Sequence, residues 1–352
     1  SSMDGYAVLA AEVAGAAPDS PAVLRVAGEI AAGDTGSYRL EPGSALKIMT
    51  GARLPAGADA VVPVEWTDGG AARVAVHRPV EPGGSVRYRG GDAAEGETLL
   101  SAGTRLRPMH IAVAASAGRA AVSVRPRPRV MVLSTGDELI EPGTPLGPGQ
   151  IWDSNSYMIA AAARQAGAAA GRRAVVPDDP AGVLPALEQQ LAHADLLVTT
   201  GGVSMGGEHD VVKAALHRLG SVTFHKVAMQ PGMPQGFGVL GAGRVPIFTL
   251  PGNPVSAYVS FQLFVRPAIA ALQGADDLSL PVVRAVLTGP GRSPAGRRSY
   301  LRAVLDGGAV TPLPGQQSHQ VAALGRANAL IVVPERQTTL SAGESVDVLV
   351  LP

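Results

Sequence analysis

The segment DLLVTTGGVSMGGEHD, residues 195–210, decides the fold. The apolar run Leu196 to Val198 predicts a strand, and the glycines after Thr199-Thr200 predict a turn. Asp210 then opens a helical pattern, Val211 to Leu219. A strand feeding a glycine turn and a helix is a geometry that holds phosphate or another oxyanion. Glycines let backbone N–H groups approach the anion, and the helix N-terminus adds a favourable dipole. Asp210 is suited to hold a divalent cation on the phosphate. A plain strand-to-helix loop has the same composition, but three further loops of this kind follow from the sequence around it.

Working outward, residues 125–274 alternate strands and helices. RVMVLST is a strand. SNSYMIAAAARQAG is a helix with Asp153 or Ser154 as N-cap and Gly167 as its stop. RRAVVP is a strand, and a helix runs to about His193. DLLVTT, helix 210–219, VTFHKVAM and a hairpin of QGFGVL with VPIFTL follow. A helix from Asn253 to Leu272 closes the unit, with Pro254 at its first position. This rhythm predicts an α/β domain whose central sheet is mostly parallel and covered by helices on both faces.

The flanks differ. Residues 1–90 carry short β-type runs (AVLRVAGEI, SALKIMTG, ADAVVPVE, ARVAVHRPV) between Gly and Pro, the pattern of a β-rich domain. Residues 91–124 hold a turn and a short helix, Pro108 to Ala117, as part of a small helical linker domain. Residues 275–352 return to short strands, a C-terminal β domain. The expected architecture is an elongated multi-domain chain.

Open α/β sheets bind ligands beyond the carboxyl ends of their strands. The loops expected there are Ser134-Thr135-Gly136-Asp137-Glu138, Trp152-Asp153-Ser154-Asn155, Gly201–Asp210 and Leu250–Ser256. They offer N–H donors, the hydroxyls of Ser204 and Ser256, and the carboxylates of Asp137, Asp153 and Asp210, a mix suited to a phosphorylated ligand held with Mg²⁺. Asp153 and Asn253 read equally well as helix caps, and His209 reads as an exposed polar residue because no second His stands at ligand spacing.

Composition narrows the classes. In 352 residues Lys+Arg and Asp+Glu are each 29, so no net field draws the chain to nucleic acid or membrane. The absence of cysteine excludes disulfides and thiolate chemistry. The Ala-rich stretches are interrupted before reaching the ~20 apolar residues of a membrane span. No P-loop, dinucleotide fingerprint or Ser/His/Asp arrangement is present. The abrupt opening SSMDGYAV has no signal-peptide pattern and reads as the start of a fragment.

MDGYA (3–7), KIMTGARLPAGADAVVPVE (47–65), STGDEL (134–139), DSN (153–155), TTGGVSMG (199–206), LPGNPVSAYVSF (250–261) and RANALIVVPE (326–335) stand in the order of a known family. The chain resembles the molybdopterin molybdenumtransferases, the MoeA family that includes the gephyrin E domain. The resemblance implies a cytoplasmic, Mg²⁺-dependent homodimer that inserts molybdate into adenylylated molybdopterin and releases AMP. By motif, Asp4 and Thr50 would approach the cleft from the partner subunit. Ser134, Thr135, Gly136, Asp137, Asp153, Asn155, Gly201, Gly202, Ser204 and Asp210 would serve nucleotide and substrate, with Asp137 and Asp210 on the metal. Pro251, Asn253 and Ser256 would lie at the molybdate and pterin end. Arg297 and Ser318 fall where the family places oxyanion ligands. The related adenylyltransferase shares the α/β domain but needs no flanking β domains.

One departure matters. Many relatives read K-P-G-K-P where this chain has Gln230-Pro231-Gly232-Met233-Pro234. Losing two cations at a dianion site weakens binding unless Arg297, Arg298 or Lys226 compensates. A scaffold that keeps the fold without turnover is the corresponding alternative.

Overall fold

The computed structural model describes residues 1–173, 175–176, 180–201, 216 and 218–352. It divides into two compact units, Ser1–Leu99 and Leu100–Pro352.

The first unit is built on a five-stranded sheet in the order Ala60–Pro63, Gly5–Val8, Ser44–Ile48, Ala22–Ile30, Arg73–Val76. Gly5–Val8 is an inner strand that composition does not announce. It runs antiparallel to both neighbours, with Tyr6 opposite Lys47 and Val62. Apolar clusters cover both faces, one around Tyr6, Val8, Val62 and Val74, the other around Ala7, Ile30, Ile48 and Val61. Inner position explains the glycine of MDGYA. A Cβ at Gly5 would stand 1.9 Å from the Val62 carbonyl oxygen. We expect Gly5→Ala to destabilise this unit by about 2 kcal/mol through overpacking, read as a lower urea midpoint at unchanged slope.

In the second unit, a six-stranded sheet runs Gly220–Lys226, Pro234–Leu240, Val245–Leu250, Leu196–Thr200, Arg129–Ser134, Ala169–Arg172. The last four are mutually parallel, and the hairpin Pro234–Leu250 adds the antiparallel side. Alternation along each strand feeds two cores. Val130, Val132, Leu196 and Val198 pack with helices Asn155–Gln165 and Pro254–Leu272, while Leu133, Leu197 and Ile247 pack toward helix Pro180–Leu191. The expected helices on both faces are therefore present among the described residues. The expected strand RRAVVP is displaced. Pairing with Arg129–Val132 falls on Ala169–Arg172, and among the described residues of the apolar stretch Val176 makes an isolated bridge, to Thr135. Small residues carry this edge strand because register, rather than β-propensity, selects it.

Helix Pro254–Leu272, 19 residues, is long and apolar enough to cross a membrane by length and composition, contrary to the sequence expectation. Its apolar side is spent inside the molecule: Val255, Ala257, Val259, Phe261, Val265 and Ile269 are all buried. A π-turn, Phe261–Val265, interrupts it, and the Arg266 N–H reaches back to Phe261 O. Pro267 follows directly. Its ring lacks an N–H and crowds the carbonyl four residues back, which the wider turn relieves.

The third sheet holds Met229–Gln230, Arg298–Asp306, Ala309–Pro312, Val282–Leu287, Ser345–Val350 and Ala329–Val333, the last also paired with Arg298–Asp306. Met229–Gln230 leaves the α/β sheet's segment of chain and pairs in parallel with Arg298-Ser299. A shared cluster of Met229, Val255, Val259, Leu280, Leu330 and Leu349 continues this join. Residues 125–274 and 275–352 thus belong to one compact body.

Candidate functional site

Ser134, Thr200 and Leu250 end three adjacent parallel strands in register, so the loops that follow leave from one edge. Gly201 turns there with φ +92°, and a Cβ on it would meet the Thr135 carbonyl at 2.6 Å. Only glycine fits this turn without strain. Gly252 passes close by, its Cβ position 3.7 Å from the Gly201 Cα. The remaining loop residues 202–210, which include Gly202, Ser204, His209 and Asp210, lie outside the described residues.

Behind the edge sits a buried polar network. Ser134 Oγ donates to Asp153 Oδ1 at 3.0 Å and lies 2.8 Å from Thr200 Oγ1. Because the Ser134 proton goes to Asp153, the Thr200 hydroxyl is the donor of the second bond. Asp153 also accepts the Ser156 N–H at 3.1 Å on Oδ1 and the Ser156 hydroxyl at 2.5 Å on Oδ2. Its side chain is 1% exposed. Of the two sequence readings, this geometry is the cap: the carboxylate holds the start of helix Asn155–Gln165. Asn253 differs. It stands at the N-cap of its helix with extended backbone, yet its side chain makes no capping bond and is exposed.

Asn155 joins two loops by donating to Gly252 O at 2.6 Å. Its Oδ1 and the Thr135 hydroxyl are buried without a partner among the described residues. Buried polar atoms normally find partners, so those of these two are to be sought beyond the described residues or in a ligand. The hydroxyls of Thr199 and Thr249, in register on adjacent strands, share that condition and were not singled out by sequence. Asp137 and Glu138 are exposed, Pro251 and Ser256 buried. Gly136 sits at φ +152°, its N–H toward Val176 O at 3.4 Å.

Ser318 enters through its backbone: its carbonyl accepts the Val255 N–H at 3.0 Å, at the start of the Pro254 helix. The Met229–Gln230 pairing brings Gln230 beside Arg297, whose Nη1 donates to Gln230 Oε1 at 3.1 Å. That bond leaves the Gln230 NH₂ group as a donor next to the guanidinium. Arg298 is committed to Glu335, Nε to Oε1 3.1 Å, and Lys226 is exposed on another strand. Of the three cations considered as compensation, Arg297 is the one that touches position 230.

In the first unit, Asp4 Oδ1 accepts both the Thr50 N–H at 2.6 Å and the Thr50 hydroxyl at 2.8 Å. The N–H bond, then the hydroxyl bond, hold the Asp4 carboxyl below its ordinary pKa. Both residues are exposed. Among the described residues no group of three or more acidic or imidazole side chains stands ready for a metal.

Three family profiles together match most of the chain. The profile of the "MoeA N-terminal region (domain I and II)" matches residues 1–118, that of a "probable molybdopterin binding domain" 131–271, and that of the "MoeA C-terminal region (domain IV)" 284–351. Molybdopterin molybdenumtransferase 2 of Mycobacterium tuberculosis is 47% identical over 99% of this chain and 87% of its own length. The Bacillus subtilis molybdopterin molybdenumtransferase is 36% identical over 99% and 82%. The crystal structure of the molybdopterin biosynthesis MoeA protein of Pyrococcus horikoshii superposes with a TM-score of 0.81 at 32% identity, covering 99% of this chain and 86% of that one. With its motifs in order and similarity along nearly its whole length, the chain belongs to the molybdopterin molybdenumtransferase family, MoeA, of molybdenum cofactor biosynthesis.

Proposed function

We propose that this chain inserts molybdate into adenylylated molybdopterin with release of AMP, in the presence of Mg²⁺, as a cytoplasmic homodimer. The observation that carries the reading is the delivery of the 134–138, 201 and 250–256 loops to one sheet edge, tied by Asn155 to Gly252. Molybdate, the pterin dithiolate and the phosphates are all anionic. The task is therefore positioning and charge neutralisation by oriented donors, with no side-chain nucleophile required.

In this reading the Gly201 turn and Thr135 hydroxyl face the phosphates, together with Gly202, Ser204 and Asp210. Asn253, Ser256, Pro251, Ser318 and Arg297 serve the molybdate end. Mg²⁺ needs few protein ligands when phosphates and waters supply the rest. The Asp153 carboxylate is taken up by its serine donors, and Asp137 lies on the exposed loop after strand Arg129–Ser134. These residues fit a cation that arrives on the substrate's phosphates and rests on Asp137 and Asp210. Asp4 and Thr50 would complete the cleft of the partner subunit.

The scaffold reading rests on Gln230 and Met233. The adenylyltransferase reading leaves the five-stranded sheet of the first unit and the terminal sheet without a task. Turnover of adenylylated molybdopterin separates all three. We expect AMP release that depends on molybdate and falls at least about tenfold in Asp210→Ala. Release at an equal rate without molybdate, or none at any concentration, would refute the proposal.

A further inference from the structure

Arg302 lies on strand Arg298–Asp306 with its side chain 1% exposed. Desolvation pushes its guanidinium below the ordinary pKa, and no acidic group enters as a cause. Carbonyl dipoles hold the charge instead. Nη1 donates to Gln317 O at 3.2 Å and Gln320 O at 3.3 Å, and Nη2 donates to Gln317 O at 3.2 Å and to Gly315 O. The backbone of the same residue grips the same loop. Its N–H donates to Gln316 Oε1 at 3.0 Å, and Gln316 Nε2 returns a bond to Arg302 O at 2.9 Å.

Burying a cation without a counter-charge is costly. The cost is met here by ordering one turn, residues 315–320. That turn ends in a contact with the site: the Ser318 carbonyl takes the Val255 N–H, one of the helix-start donors with no intrahelical acceptor. Asn253 and Ser256 flank Val255. A guanidinium fork spans three carbonyls from one side, which the point charge of an ammonium does not reproduce.

We propose that Arg302 is a positioning residue: through the 315–320 turn it sets Ser318 against Val255 and so fixes the Asn253–Ser256 segment. Its kinetic consequence rests on the transferase reading; its structural consequence does not. The test compares Arg302→Lys with Gln316→Ala, which loosens the same clasp from its other side and guards against a variant that does not fold. Deuterium exchange is followed in peptides covering 250–260 and, as an internal reference, 129–134, a strand of the other sheet that does not pair with Arg298–Asp306. We expect exchange at Val255 to rise about tenfold or more while the reference strand holds, and the half-saturating molybdate concentration to rise about fivefold with kcat changed less. Unchanged Val255 exchange in both folded variants would overturn the positioning role. So would faster exchange with an unaltered molybdate dependence in an active enzyme. If the unmodified chain releases no AMP, the transferase reading falls, and the exchange measurement alone decides whether Arg302 sets this segment.

Discussion

Asp153→Ala lowers the stability of the 100–352 unit by about 3 kcal/mol, taking the handful of donors it abandons at the usual cost of unsatisfied buried groups. The carboxylate accepts from Ser134 Oγ, Ser156 N and Ser156 Oγ inside a site closed to water. Removing it orphans both Ser156 donors, leaves Ser134 with Thr200 alone, and uncaps helix Asn155–Gln165, whose Ile159, Ala160 and Ala163 belong to the main core. Asp153→Asn keeps the shape and one acceptor oxygen but turns an NH₂ toward a donor, so about half of the loss is expected. Urea unfolding measures both. A midpoint that drops strongly for alanine and modestly for asparagine, at constant slope, marks a cap. A stable Asp153→Ala protein that fails to bind nucleotide would instead make Asp153 a ligand.

The second large effect concerns the vanished lysines. Arg297→Ala is expected to raise the half-saturating molybdate concentration at least about tenfold, the scale of one charge-assisted hydrogen bond. Installing Gln230→Lys with Met233→Lys works in the opposite direction, with a cost. The new ammonium replaces the amide oxygen that now accepts from Arg297 at 3.1 Å. Two cations about 4 Å apart repel by about 1 to 4 kcal/mol, depending on how well water reaches them. The double variant should therefore melt earlier than its parent without molybdate and recover when the dianion binds both charges. Its half-saturating concentration should fall. A rise in melting on adding molybdate no larger in the double variant than in its parent would mean that the anion is held elsewhere.

Sequence reading went furthest where one residue type answers one local need. The turn glycine at 201, the stop at Gly167 and the proline at 254 were legible because backbone conformation dictates them. Strand alternation from 129 to 250 was legible because each strand feeds cores on both faces. Where a long-range partner decides, the sequence was silent. Gly5–Val8 is a strand because Ser44–Ile48 and Ala60–Pro63 flank it, and Ala169–Arg172 because Arg129–Val132 does. The neighbour of Gln230 is set by a two-residue pairing with Arg298-Ser299, far along the chain in the terminal sheet. Asp153 carried both readings until its donors were visible. The residues that open the chain's most telling motif after Gly201 lie outside the described part, so their roles rest on the sequence alone.

The short strand Met229–Gln230 has a practical consequence for anyone wishing to cut this protein into pieces. Its chain neighbours belong to the α/β sheet, but its hydrogen bonds belong to the terminal one. A protease nick or gene boundary placed near Gly274, at the boundary read from the sequence, would strip Met229 and Leu280 of a common apolar cluster and expose a strand edge on each half. The better place for scissors is near Leu99, and a fragment released there should keep the edge formed by Ser134, Thr200 and Leu250, together with the Met229–Gln230 pairing, in one piece.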